Sequence, residues 1–466
     1  MTNYYVSKYT FLTPKAGTEE FLIINYLAGS ADLLTKEEAE ELKLRLETGN
    51  FENYPDTRYL LEQGYIFHSA EEESRLLKQK YKEFQEEYEK TPTQLIFSTT
   101  YVCNFGCFYC FQEEYHQKPK MLTQEITDAF FRYINKKFQH ESPRPYITLF
   151  GGETLLIGKS FRKNIEYFLK QARDFQYEVA IITNGYYLLE YLPFFQKEKI
   201  PIKEIQVSLD GDKEAHDKRR VTKSGKATFI KIARGIDAAL KAGYRINLRP
   251  IVDKDNIESL PRLAEFCNTM GWLDYPVTQF ETTIGRNYEL HTCQPRSRLF
   301  TRSGIWEAYL ALSKQYPLLR KFHRPNFHGM KVLHDSGQLP MPIFDGCPAG
   351  KKEWAFDING YIYGCTASVG VEKFKLGSFL EGKTNGDEFT DKEQLEIWKQ
   401  RNVLNMPECK NCAVSLACGG GCGVLSYNQK GHIHASNCRP VADLVSYGAD
   451  FYSIGEENAT EPVLCC

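Results

Sequence analysis

The chain lacks any long apolar run: nowhere do about 18 consecutive apolar residues occur, the length that a membrane-spanning helix requires. Its first residues, MTNYYVSKYTF, lack a basic stretch followed by an apolar one, so no secretory signal is expected and a cytoplasmic protein is. An excess of either charge is missing too. Lys plus Arg number 58 against 60 Asp plus Glu, and a formal charge of −2 gives no electrostatic reason to expect nucleic acid or an acidic membrane as partner. The sequence has no internal repeat and no low-complexity tract. At 466 residues it exceeds one ordinary core, and two or three domains are expected.

Cysteine, by contrast, is plentiful, with fourteen in the chain. A reducing compartment does not sustain a disulfide framework, so the grouping of these residues must carry another meaning. Cys103, Cys107 and Cys110 lie together. Cys267 and Cys293 are isolated, Cys347, Cys365, Cys409, Cys412, Cys418, Cys422 and Cys438 form a second group, and Cys465 and Cys466 end the chain. Groups at short spacing read as metal ligands.

Periodicity divides the chain into segments. Apolar alternation over 5–12 and 21–27, a helix over TKEEAEELKLRLETG ending at Gly49, a short helix over 57–63 and a strand over 65–67 make residues 1–70 a small α+β unit. Residues 71–93 read as a charged helical linker. Over 94–285, strands at 95–99, 146–150, 177–182, 204–209, 245–251 and 277–281 alternate with helices at 123–139, 159–174, 187–198, 227–242 and 257–270. Repeated βα units predict a parallel sheet, here an open partial (β/α)6 barrel of TIM-like type, whose ligands sit at the carboxyl ends of its strands. Residues 286–345 form a bridging region without a clear pattern, 346–450 a domain rich in glycine and cysteine, and 451–466 an acidic tail.

Cys103-x3-Cys107-x2-Cys110 follows the first predicted strand directly, which sets three thiolates on one loop. A cubane 4Fe-4S cluster normally takes four cysteines, so three leave one iron open to a small molecule. Zinc and three buried thiols are the alternatives, although no nearby histidine has zinc-like spacing. Gly151-Gly152-Glu153, Thr183-Asn184-Gly185 and Ser208-Leu209-Asp210-Gly211, followed by His216-Asp217-Lys218-Arg219-Arg220, then stand at successive strand ends.

In that order these segments resemble the radical S-adenosylmethionine (SAM) superfamily. The resemblance implies a SAM-binding cluster on Cys103, Cys107 and Cys110, which are thereby the catalytic cysteines. It places the ring of Tyr109 near adenine, Gly151, Gly152 and Glu153 at the methionine ammonium, Asn184 at the third strand end, and Ser208 and Arg220 at the ribose and carboxylate. For Asp210, His216 and Asp217, loop capping is an equal reading. Thr154 stands where many relatives have proline.

The second group, running from Cys347 to Cys438 around Gly419-Gly420-Gly421, resembles the SPASM domain, with a zinc ribbon as the alternative. That resemblance implies two auxiliary 4Fe-4S clusters, three in all. One would be held by Cys409, Cys412, Cys418 and Cys438. The other would be held by Cys347, Cys365 and Cys422, one ligand short, with an open iron, Cys293 or a substrate thiolate in the fourth position. Cys267 reads as a small buried hydrophobe.

Residues 1–70, with LLEQGYIF near their end, resemble PqqD-like, winged-helix-like elements that bind leader peptides; a packing cap is the other reading. Together the resemblances imply a maturase of a ribosomal precursor peptide, fed by a donor such as flavodoxin or ferredoxin, that installs a crosslink, foremost a Cys sulfur-to-carbon thioether. A formylglycine-forming sulfatase maturase, a carbon-carbon crosslinker and a non-catalytic iron-sulfur scaffold are the competing expectations.

Overall fold

The computed structural model describes residues 4–110, 120–287, 296–380 and 389–455. The chain opens with β1 (Tyr5–Val6), β2 (Thr10–Pro14), β3 (Phe21–Asn25), β4 (Ser30–Leu34), α1 (Lys36–Thr48), α2 (Thr57–Glu62), β5 (Ile66–Phe67) and α3 (Ala70–Glu89). Alternation follows: β6 (Gln94–Ser98), α4 (Gln124–Lys137), β7 (Tyr146–Phe150), α5 (Lys159–Asp174), β8 (Val179–Thr183), α6 (Leu188–Lys197), β9 (Ile202–Val207), α7 (Lys213–Arg219), α8 (Phe229–Lys241), β10 (Ile246–Leu248), β11 (Ile251–Val252), α9 (Leu260–Thr269), β12 (Phe280–Thr282) and β13 (Gly285–Arg286). The bridging region holds α10 (Gly304–Gln315), α11 (Leu318–Phe322) and α12 (Met330–Ser336). The last part comprises β14 (Glu353–Asp357), β15 (Tyr361–Tyr363), β16 (Lys375–Ser378), α13 (Lys392–Gln400), α14 (Ser415–Cys418), α15 (Gly423–Lys430) and α16 (Val441–Phe451).

Local chemistry explains the boundaries. Thr35 caps α1 by accepting from Glu38 N (3.3 Å) while the Glu38 carboxylate accepts from Thr35 N (2.8 Å), and Gly49 ends the helix in the left-handed region at φ 67°. The six expected strands of the α/β core form one parallel array, β12-β10-β9-β8-β7-β6. Their fully buried runs, such as Leu95 to Phe97, belong to a sheet with both faces covered.

The sheet does not stop at β6. β14 adds to it as a further parallel strand, in register from Glu353 opposite Gln94 to Asp357 opposite Ser98, and β15 and β16 extend it antiparallel. The cysteine-rich part beginning near 346 is therefore hydrogen-bonded into the barrel sheet rather than tethered to it. An aromatic cluster seals the seam: Phe130 of α4 meets Phe97 (4.7 Å between centroids), Phe168 (5.6 Å), Phe356 (5.2 Å) and Phe379 (6.0 Å).

The N-terminal unit contains β4, a strand beyond the sequence expectation, paired antiparallel to β3. Alternation along β3 splits its side chains. Leu22 and Ile24 join the main core beside Tyr26, whereas Ile23 packs with Leu42, Phe51, Leu60 and Tyr65 in a small core of its own. Contacts to distant chain pin the unit down: Thr13 Oγ1 donates to Ala442 O (3.2 Å) and the Tyr26 hydroxyl to His328 O (2.6 Å). Replacing Phe130 with alanine is expected to cost about 3–5 kcal/mol, whereas Leu44→Ala, at a position 62% exposed, should stay within about 0.5 kcal/mol. Urea denaturation followed by circular dichroism measures both.

Candidate active site and the auxiliary cysteine sets

The loop that leaves β6 carries Cys103, Cys107 and Cys110, all half-buried. Backbone bonds fix it from two sides. Gly152 N donates to Thr100 O (2.7 Å) and Glu153 N to Val102 O (2.9 Å), while Gly106 N donates to Val221 O (3.0 Å) and Lys223 N to Asn104 O (2.9 Å). A Cβ on Gly151 would lie 2.4 Å from Thr100 O, and one on Gly152 2.3 Å from Val102 O. The two glycines thus let the β7 exit pass beneath the cysteine loop, a closer partner than the ligand approach for which the sequence suggested them.

Glu153, 2% exposed, ties two strand ends together. Its Oε1 accepts from Leu155 N (2.8 Å) and Thr183 Oγ1 (2.5 Å), and its Oε2 from Asn184 N (2.7 Å). A carboxylate offers about four lone-pair positions, so one remains for a further donor such as an ammonium. Asn184 in turn donates to Asn104 Oδ1 (2.8 Å) and lies 3.9 Å from Cys103 Sγ. Burial, with Glu153 adding to it, pushes the Cys103 thiol up to about 12. A thiolate at that point calls for a bound cation.

Across the barrel mouth, the Tyr109 hydroxyl donates to Asp210 and accepts from Arg220 Nη1 (2.6 Å). Asp210 also accepts from Ile251 N (3.1 Å), and Arg219 holds Asp253 with two bonds of 2.9 Å. Tyr109 and Arg220, expected at different parts of the nucleotide, therefore form one hydrogen-bonded unit. Arg220 Nε and Asn104 Nδ2 are buried without a hydrogen-bond partner. Such orphaned donors beside the cysteine loop fit an anionic or carbonyl-bearing ligand. Ser208 stands half-buried just past the end of β9.

The capping readings of the nearby polar residues hold. Buried His216 accepts from Asp210 N at Nδ1 (3.2 Å), which leaves its Nε2 proton for Thr228 Oγ1 (3.0 Å), and burial keeps the ring neutral. Asp217 accepts from Thr228 N (2.7 Å) and Phe229 N (2.9 Å) at the start of α8. Cys267 is fully buried in α9 among apolar side chains.

Within the second cysteine group, Cys365 lies within electrostatic range of Cys347 and Cys422, and Cys409 within range of Cys418, Cys412 and Cys438. Between the sets, Gly419, Gly420 and Gly421 turn at φ 63°, 78° and 74°, and a Cβ on Gly421 would meet Asn437 O at 2.2 Å. Two neighbours had no sequence signal. Glu353, half-buried and with its carboxyl raised by desolvation, lies within electrostatic range of Cys365 while accepting from Thr366 N (2.9 Å) and Thr366 Oγ1 (3.0 Å). Arg401 is fully buried beside the glycine turn. Cys293, Cys465 and Cys466 lie outside the described residues.

Among the described residues no three His, Cys, Asp or Glu side chains converge on one point as a single metal ion requires. Three thiols on one loop, with orphaned buried donors beside them, fit a cluster on Cys103, Cys107 and Cys110. Gly152→Ala is expected to cost about 1–3 kcal/mol by overpacking and to remove the change that SAM induces in the electron paramagnetic resonance (EPR) spectrum of reconstituted protein. A SAM response of wild-type size would contradict the seam's role.

Comparison with known proteins agrees with this geometry. The profile of the Radical SAM superfamily matches residues 97–267. A serine-type anaerobic sulfatase-maturating enzyme of Bacteroides thetaiotaomicron is 29% identical over 350 residues, 69% of this chain and 80% of that protein. A cysteine-type anaerobic sulfatase-maturating enzyme of Clostridium novyi is 24% identical over 347 residues, 72% of this chain and 88% of that protein. Among solved structures, native anSMEcpe with bound AdoMet and Cp18Cys peptide superposes with a TM-score of 0.54 at 18% identity, over 78% of this chain and 96% of that one. Streptococcus suis SuiB bound to precursor peptide SuiA gives 0.51 at 15% identity, over 94% of this chain and 99% of that one. These likenesses establish the fold. The strand ends that gather around Cys103, Cys107 and Cys110 thus belong to a radical SAM domain, and the chain that carries it is related to anaerobic sulfatase-maturating enzymes.

Proposed function

We propose that the chain is a radical SAM/SPASM maturase that acts on a ribosomal precursor peptide and installs an intrapeptide crosslink, foremost a thioether from a cysteine sulfur to carbon. The observation that carries the reading is the placement, at one barrel mouth, of a loop bearing three cysteines, the spare lone pair of Glu153 and the orphaned Nε of Arg220. When bound, a cluster on Cys103, Cys107 and Cys110 together with SAM supplies reductive cleavage to a 5′-deoxyadenosyl radical, which abstracts a hydrogen from a peptide carbon. The protein's part is positional. Glu153 and Asn184 hold the strand ends under the loop, Arg220 and Tyr109 brace the opposite wall, and Ser208 lies between them in chain order. Cys409, Cys412, Cys418 and Cys438 would hold one auxiliary 4Fe-4S cluster. Cys347, Cys365 and Cys422 would hold another, with Glu353 the nearby carboxylate. A donor such as flavodoxin or ferredoxin would supply electrons.

The N-terminal unit would bind the leader. β4 pairs with β3 on one side, and a cavity of about 350 Å³ lined by Asp32, Leu34, Tyr54 and Tyr59 runs beside it. An extended peptide can add to such an edge. The long reach of the SuiB superposition, 94% of this chain against 78% for anSMEcpe, favours a peptide maturase over a sulfatase maturase, whose reading rests on the curated relatives. Because the unit shares the main core, its removal would strip apolar surface from α16, so point measurements test it better than truncation.

Cys103→Ala is expected to abolish 5′-deoxyadenosine formation under anaerobic reducing conditions, read by liquid chromatography; retained cleavage would refute the assignment. Adding a precursor peptide that the protein modifies should slow hydrogen exchange at the amides of β4. Unchanged exchange there, with the peptide still modified, would make residues 1–70 a packing cap.

A further inference from the structure

Arg401 follows α13 directly and is fully buried. Its guanidinium makes five contacts, all to neutral oxygens: Nε to Ile433 O (2.9 Å), Nη1 to Gly421 O (3.0 Å), and Nη2 to Gly420 O (2.7 Å), Ala435 O (3.2 Å) and Ser426 Oγ (3.4 Å). Among the described residues no carboxylate forms an ion pair with it. Asp345 lies within electrostatic range of Arg401 but is held by Lys351 at 2.6 Å. A fully buried cation without an ion-pair partner of its own is disfavoured in a low-dielectric interior, and further negative charge nearby would balance it.

The carbonyls that hold the guanidinium say where that balance comes from. Gly421 precedes Cys422, Gly420 follows Cys418 by two residues, and Ala435 lies three before Cys438. The three left-handed glycines present two successive carbonyls to one cation, as a turn with Cβ atoms could not. Arg401 thus stands in the wall shared by the two cysteine sets, bonded to carbonyls within three residues of Cys418, Cys422 and Cys438.

We propose that Arg401 is the fixed counter-charge of the auxiliary clusters, a positioning residue whose guanidinium both clamps the glycine turn and raises the clusters' reduction potentials. The inference rests on the assignment of auxiliary clusters to these cysteines. Adding one electron to a cluster adds one negative charge, and an immobile cation nearby favours that reduced state. The cluster held by Cys103, Cys107 and Cys110 lies outside this wall and serves as the internal reference.

The test is an EPR-monitored redox titration of the anaerobically reconstituted full-length protein, with iron and sulfide content measured alongside. Arg401→Gln should lower the reduced-to-oxidised ratio of the auxiliary clusters at fixed potential at least tenfold, about 59 mV for one electron, and leave the first cluster unmoved. Arg401→Lys, which keeps the charge, should stay near wild type. Full cluster content with unmoved potentials in Arg401→Gln would overturn the proposal. Should that variant lose its clusters, Ser426→Asp decides, since it sets a carboxylate beside the guanidinium and keeps the clamp: a fall in potential supports the proposal and an unmoved one overturns it. Wild-type protein without auxiliary signals would instead remove the cluster assignment itself.

Discussion

The site depends on a backbone seam in which the carbonyls of Thr100 and Val102 accept from the amides of Gly152 and Glu153. Nothing larger than glycine fits at 151 or 152, since any Cβ would press on a peptide oxygen. Once the seam forms, the positions of the neighbouring groups follow. Glu153 is drawn inward and meets Thr183 and Asn184, Asn184 reaches Asn104, and the cysteine loop is held at a set height above the strand ends. The loop's other flank is fixed by Val221 and Lys223, next to Arg220. The chemistry therefore sits on a loop made rigid by backbone bonds, the condition under which small positional errors at a reacting atom are avoided.

A second electrostatic layer surrounds the first. Asp210, Asp253, Arg219, Arg220 and Tyr109 are interlocked at the barrel mouth, with Arg219 bidentate to Asp253 and the Tyr109 hydroxyl shared between Asp210 and Arg220. Arg219 pairs with Asp253 and Asp210, and Arg220 reaches Asp210 through the Tyr109 hydroxyl, so the network is a scaffold more than a source of net stability. Arg401, in contrast, is held by neutral oxygens.

Much of this was legible in the sequence, and the exceptions share a cause. The six core strands could be read because each is a short apolar run beside a helix of regular period. β4 escaped notice: Ser30, Ala31 and Asp32 carry no β-branched or aromatic signal, and its pairing depends on β3. The addition of β14 to β6 joins residues far apart in the chain and leaves no local trace. Gly151 and Gly152 were recognised as special, but their contact with the Thr100 and Val102 backbone was not, because a tripeptide does not reveal which backbone passes over it. Arg401 and Glu353 sit in ordinary charged stretches, and only tertiary packing makes them unusual. In residues 286–345 the helices α10, α11 and α12 are short and interrupted, which blurs their period.

The pairing of β14 with β6 also has a consequence for how the chain is born. β6 emerges early in synthesis, yet the strand that completes its outer side follows roughly 250 residues later, an interval of some 12–50 s at about 5–20 residues per second. Until β14 arrives, the growing sheet has an unpaired edge at β6, the kind of surface on which chains aggregate. Productive folding would then favour slow cell growth or a chaperone that shields β6 until the C-terminal hairpin arrives.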